Sequence, residues 1–115
     1  MILPLEYPAG FLDLSPEVKA DVCNGAGAKD GVKVPNSMYG LDMKVVFDIH
    51  DYEYWMGEND KDKRDADRHM LSNAIIMIIN KRGWLMMARG YRAMSYFMAV
   101  AIKGKKAFYA GKGNQ

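Results

Sequence analysis

The sequence holds a single cysteine, Cys23, so no disulfide can form within the chain. A reducing compartment is the expected setting, not that of a disulfide-stapled secreted scaffold. No apolar run is long enough to span a bilayer, and the start, Met1 to Glu6, lacks the positive charge and long apolar stretch of a signal peptide. The expectation is therefore cytoplasmic. Strong charge is missing too: a formal net charge of +2 and no basic stripe argue against direct nucleic-acid binding. Charge is instead segregated. Lys103, Lys105, Lys106 and Lys112 crowd the C-terminal end, where a solvated tail is their commonest use, while the acidic residues lie in the first two thirds. No repeat or low-complexity segment appears.

What is present suits one globular domain over residues 1–115, since 50% of the residues are hydrophobic and 26% charged. All four prolines fall within the first forty residues, which are expected to be mostly irregular. One short helix is predicted there, over Pro16 to Val22, with Ser15 as N-cap and Pro16 at the first helical position. Three longer helices follow, so the fold class is mainly α. The first runs from about Asp42 to Trp55 or Met56, on the spacing of Val45, Val46, Ile49 and Tyr52 or Tyr54, and Gly57 stops it. The second runs from Lys61 to about Lys81, with Asp60 as N-cap, Ala66, Met70, Ala74, Met77 and Ile78 as its buried stripe and Gly83 as its stop. The third runs from Trp84 or Leu85 to about Lys103, with Met87, Tyr91, Met94, Phe97, Met98 and Ile102 expected inward. The ten methionines read as core filler, both tryptophans as packed, and His69 as solvent-facing.

Chemistry concentrates on the first two long helices. His50 and Tyr54 share a face at i and i+4, while Asp51 points about a quarter turn away. A histidine beside a carboxylate can act as a general base near neutral pH, and the neighbouring aspartate can hold a hard cation. The turn at Gly57 to Asp60 is short enough to fold the second helix back antiparallel. Asp67 would then accept a hydrogen bond from His50, fixing its tautomer and stabilising the imidazolium. Upstream, Asn24-Gly25-Ala26-Gly27 is a loop whose glycines permit carbonyl oxygens to turn inward, as calcium ligation requires.

These residues carry a resemblance. His50-Asp51-Tyr52-Glu53-Tyr54 resembles the His-Asp-x-Cys-Tyr element of secreted phospholipases A2, and Ala66-Asp67-Arg68 resembles the Cys-Asp-Arg that opens their second long antiparallel helix. The order of short helix, glycine loop, His-Asp helix and Asp helix agrees as well, over roughly Val22 to Ala74. Val46, Phe47, Glu53 and Ala66 stand where that family has cysteines, and Ala28, Lys29 and Asp30 where its loop ends in paired glycines. The resemblance implies a disulfide-free phospholipase A2-like fold, with two long antiparallel helices carrying the site, a further C-terminal helix and an irregular N-terminal segment. It implies His50 as base, Asp67 as its partner, Tyr54 as a support to Asp67, and a Ca²⁺ site made by Asp51 with loop carbonyls among Asn24, Gly25 and Gly27. A backbone N–H such as that of Gly27 would serve the oxyanion, and the substrate would be a phospholipid at a membrane or micelle surface. Leu3, Leu5, Tyr7, Phe11 and Leu12 either close the core or form a lip that touches lipid. The insert from Asp30 to Leu41 resembles short phage and prophage proteins. The alternative reading is a catalytically silent phage-derived module that binds a host protein, such as a defence complex, through Glu58, Asp60, Asp62 and Asp65. A structural part of a virion or lysis apparatus is a third.

Overall fold

The computed structural model describes residues 2–23, 36–110 and 112. The protein is mainly helical, with helices α1 (Pro16–Val22), α2 (Lys44–Met56), α3 (Asp60–Lys81), α4 (Met86–Lys103) and α5 (Lys105–Tyr109), and a short hairpin of β1 (Ser37–Met38) and β2 (Leu41–Asp42).

α1 starts as its sequence dictates: the Ser15 hydroxyl accepts from the Val18 N–H at 3.3 Å, and Pro16 occupies the first turn, where its missing N–H costs nothing. α2 begins two residues later than expected. Asp42 stays in β2 and its carboxylate accepts the Lys44 N–H at 2.9 Å, capping the helix from outside. Asn59, rather than Asp60, caps α3 by accepting the Asp62 N–H. That leaves Asp60 and Asp62 in the first turn, where the helix dipole favours negative charge. α3 ends at Lys81, one residue before Arg82 and Gly83, both with positive φ, and α4 then begins at Met86.

α2 and α3 form the expected antiparallel pair. Near one end Val46 and Phe47 pack with Met70, Ala74 and Ile78; near the other Tyr54 packs with Ala66, beside the turn. Phe11, Val22, Ile49 and Tyr52 make a second cluster on the opposite side of α2. Of the N-terminal apolar residues only Phe11 is fully buried; Leu3, Tyr7 and Leu12 are exposed. The segment before Phe11 is held by two asparagines of α3. Asn80 accepts the Leu3 N–H and donates to the Leu3 carbonyl, both at 2.8 Å, and Asn73 does the same for Glu6 at 2.8 and 3.1 Å. The spacings agree: seven helical residues and three extended residues each span about 10 Å, so the amides act like the edge of a strand.

α4 presents a different face from the expected one. Arg89 and Ala93 are buried, and Tyr96, Phe97 and Val100 pack against the core. Met87, Tyr91, Met94, Met98 and Ile102 are exposed, so of the expected stripe only Phe97 points inward. The cause is Arg89, whose guanidinium donates to the carbonyls of Met38 (3.1 Å) and Tyr39 (2.6 Å) at the hairpin tip. Tyr39 and Gly40 both have positive φ there, which turns two carbonyls toward one side. Trp84 and Trp55 are likewise exposed, and of the methionines Met38, Met43 and Met70 are the fully buried ones among the described residues. The basic tail is more than a solvated end: α5 buries Phe108 edge-on against Tyr54 and over Gly57. Lys112 donates to the carbonyls of Tyr54 (2.5 Å) and Phe108 (2.7 Å).

Candidate functional site

One buried carboxylate organises the α2–α3 interface. Asp67 Oδ1 is 2.8 Å from His50 Nε2 and accepts the Tyr54 hydroxyl at 2.6 Å. Its other oxygen, Oδ2, accepts from the Lys63 ammonium at 2.7 Å. All four side chains are buried. The helix period explains the convergence: His50 and Tyr54 are one turn apart on α2, and Lys63 and Asp67 one turn apart on α3. The Tyr54 ring also lies 4.1 Å, centroid to centroid, from the His50 ring and fixes its tilt. Burial is the largest influence on Asp67 and by itself would raise its pKa. The donors His50, Lys63 and Tyr54 together outweigh it and hold the carboxyl below its ordinary value.

With Nε2 engaged by Asp67, Nδ1 is the ring nitrogen left for other chemistry. A neutral imidazole that donates from Nε2 is an acceptor at Nδ1, the form a general base requires. Lys63 was not anticipated from the sequence, although its place four residues before Asp67 is the spacing of a helical ion pair. It also donates to the Val100 carbonyl at 2.9 Å, which ties α4 to the network.

A second histidine–carboxylate contact joins the same helices. His69 Nδ1 lies 2.6 Å from Glu53 Oε2, so His69 is exposed, as expected, yet partnered. Burial raises the Glu53 pKa in spite of the opposing influence of His69, and its Oε1 has no hydrogen-bond partner among the described residues.

Asp51, the expected metal ligand, is half-buried on α2 next to His50. Asn24, Gly25 and Gly27 lie outside the described residues. Asp48, a turn before Asp51, is buried and accepts from Lys44 at 2.8 Å through Oδ2, while Oδ1 has no partner among the described residues. Cys23 meets the Asp48 carbonyl at 3.5 Å, and burial, then the charges of Asp48 and Asp51, push its thiol up to about 11. The thiol is therefore neutral at physiological pH and no nucleophile. Asp51 thus lies within electrostatic reach of Cys23, at the end of α1. Among the described residues no three His, Cys, Asp or Glu side chains gather to hold a metal, and no helix is long and apolar enough to cross a membrane. A shallow groove lined by Asp60, Lys63, Arg64, Ala101, Ile102 and Lys105 meets the network at Lys63, not at His50.

Comparisons with protein-family models, with curated proteins and with solved structures gave no match.

Proposed function

We propose that this chain is a phospholipase A2-like hydrolase in which His50 takes a proton from a water molecule as that water attacks the sn-2 ester of a phospholipid, with Ca²⁺ required. The observation that carries the reading is Asp67 Oδ1, which meets His50 Nε2 and the Tyr54 hydroxyl together, from two antiparallel helices. The resemblance implies this constellation.

The roles follow from the chemistry. Asp67 orients the imidazole and sets the tautomer that offers Nδ1 to water. Tyr54 holds the carboxylate in place. Lys63 makes the Asp67–Lys63 pair formally neutral, so Asp67 acts on His50 by a positioned hydrogen bond more than by net charge. For the cation, the residues that the resemblance names would offer hard oxygens, the Asp51 carboxylate and the backbone carbonyls of Asn24, Gly25 and Gly27, a donor type that suits Ca²⁺. With no cluster of further acidic ligands among the described residues, carbonyls would supply most of the coordination. A Ca²⁺ held there would supply Lewis-acid polarisation of the ester carbonyl and offset the charge that develops on its oxygen. The Gly27 N–H is the candidate backbone donor to the same oxygen.

The test is fatty-acid release from mixed-micelle phospholipid in calcium or in EDTA, wild type against His50→Ala. Calcium-dependent release that falls by about a hundredfold or more in the variant supports the reading, since general bases contribute on that order. No release from folded protein sinks it. The host-binding module, which draws on Glu58, Asp60, Asp62 and Asp65 around the start of α3, then becomes the leading account.

A further inference from the structure

α4 leaves an apolar row uncovered. Met87, Tyr91, Met94, Met98 and Ile102 recur at three- and four-residue steps on the side opposite Arg89, Ala93 and Val100. Met87 is 83% exposed, Tyr91 77% and Ile102 70%, and Trp84, just before the helix, is 90% exposed. The row is about 22 Å long at the helical rise and carries no charged residue. A continuous row of this kind on a small domain marks a contact surface more than scattered exposure does.

The charges around the row select the occupant. No aspartate or glutamate follows Asp67 in the sequence. Lys81 and Arg82 precede Trp84, and Arg92 and Lys103 lie to one side of the row on α4; all four are exposed. At the far end Asp60 shares a groove with Ile102, where Lys63, Arg64 and Lys105 outnumber it. We propose that this face lies on an anionic lipid surface, with the methionines, Ile102 and the aromatic rings at the headgroup–acyl boundary and the four cations among the headgroups. The pattern is that of an interfacial helix: one apolar face, Lys and Arg beside it, and Trp and Tyr, whose rings are apolar with a polar tip. α4 is not apolar enough to span a membrane, so it rests on the surface. A symmetric pairing with a second copy would set two cationic rims edge to edge, which disfavours that occupant. The inference does not rest on hydrolysis, because none of these residues belongs to the His50–Asp67 network.

The experiment is flotation with vesicles of ether-linked phosphatidylcholine, with or without ether-linked phosphatidylglycerol, in EDTA. Ether lipids resist ester hydrolysis, so binding is read apart from catalysis. Wild type binds the mixed vesicles, and added salt weakens the binding. Tyr91→Ser with Met94→Ser abolishes it, and Arg92→Gln with Lys103→Gln lowers affinity about 25-fold, at roughly fivefold per cation. These exposed substitutions leave the helical circular dichroism unchanged. Absence of binding by folded wild type overturns the proposal, as does binding indifferent to the serine pair. Light scattering that finds a dimer dissociated by the serine pair overturns it too, by giving the face to a second copy.

Discussion

Replacing Asp67 by asparagine keeps its shape and removes its charge, and the structure sets what that costs. An asparagine oxygen in the Oδ1 position can still accept from His50 and Tyr54, but the amide NH₂ then faces the Lys63 ammonium, donor against donor. Lys63 is buried and would keep only the Val100 carbonyl. Stranding one member of a buried ion pair costs about 3–5 kcal/mol, a large part of the stability of a domain this size. Lys63→Met alone costs less, because two donors remain on Asp67. The pair of changes together removes both charges, so its cost falls short of the sum by about 2 kcal/mol. Urea unfolding followed by circular dichroism at pH 7 gives all four corners of this cycle. A cost below about 1 kcal/mol for Asp67→Asn, or strict additivity, would refute the closed network.

Acid titration gives an independent reading of the same carboxylate. The Asp67 pKa is lower folded than unfolded, so the unfolded chain takes up the proton first, and the stability Asp67 contributes is complete above about pH 5 and lost as the pH falls through the folded-state value. The gap in urea midpoint between wild type and Asp67→Asn should therefore hold from neutral pH to about pH 5 and close below it. Gly90 lies inside α4 with open space where a Cβ would stand, so Gly90→Ala should raise stability by about 0.5–1 kcal/mol, read as a higher Tm. Gly57 is the opposite case: an added Cβ would fall 2.6 Å from the Phe108 ring, which is fully buried. Gly57→Ala should cost about 1–3 kcal/mol by the same measurement, as overpacking does.

Much of the site was readable because its signals are local. Ser15-Pro16 marks the start of α1, and the apolar spacing of α2 and α3 with the short turn between them places His50, Tyr54 and Asp67 together. What escaped depends on partners distant in sequence. An arginine in an apolar stripe reads as outward-facing, so α4 was expected to bury its all-apolar row; only the hairpin carbonyls of Met38 and Tyr39 make Arg89 an interior residue. Phe108 sits among lysines and glycines, which hide a core residue in a tail-like composition. Asn73 and Asn80 carry no local mark of their pairing with Glu6 and Leu3. Two-residue strands are too short to show an alternation. Lys63 alone had a usable signal, its spacing from Asp67.

The proposed mechanism hangs on which nitrogen of His50 would be offered to water, and long-range ¹H–¹⁵N correlation of the histidine rings reads it directly. At a pH where the ring is neutral, the Nε2–H tautomer is predicted for His50, with Nδ1 as acceptor and that preference lost in Asp67→Asn. A neutral Nδ1–H tautomer in the wild type would contradict the account, because the nitrogen assigned as base would already carry a proton.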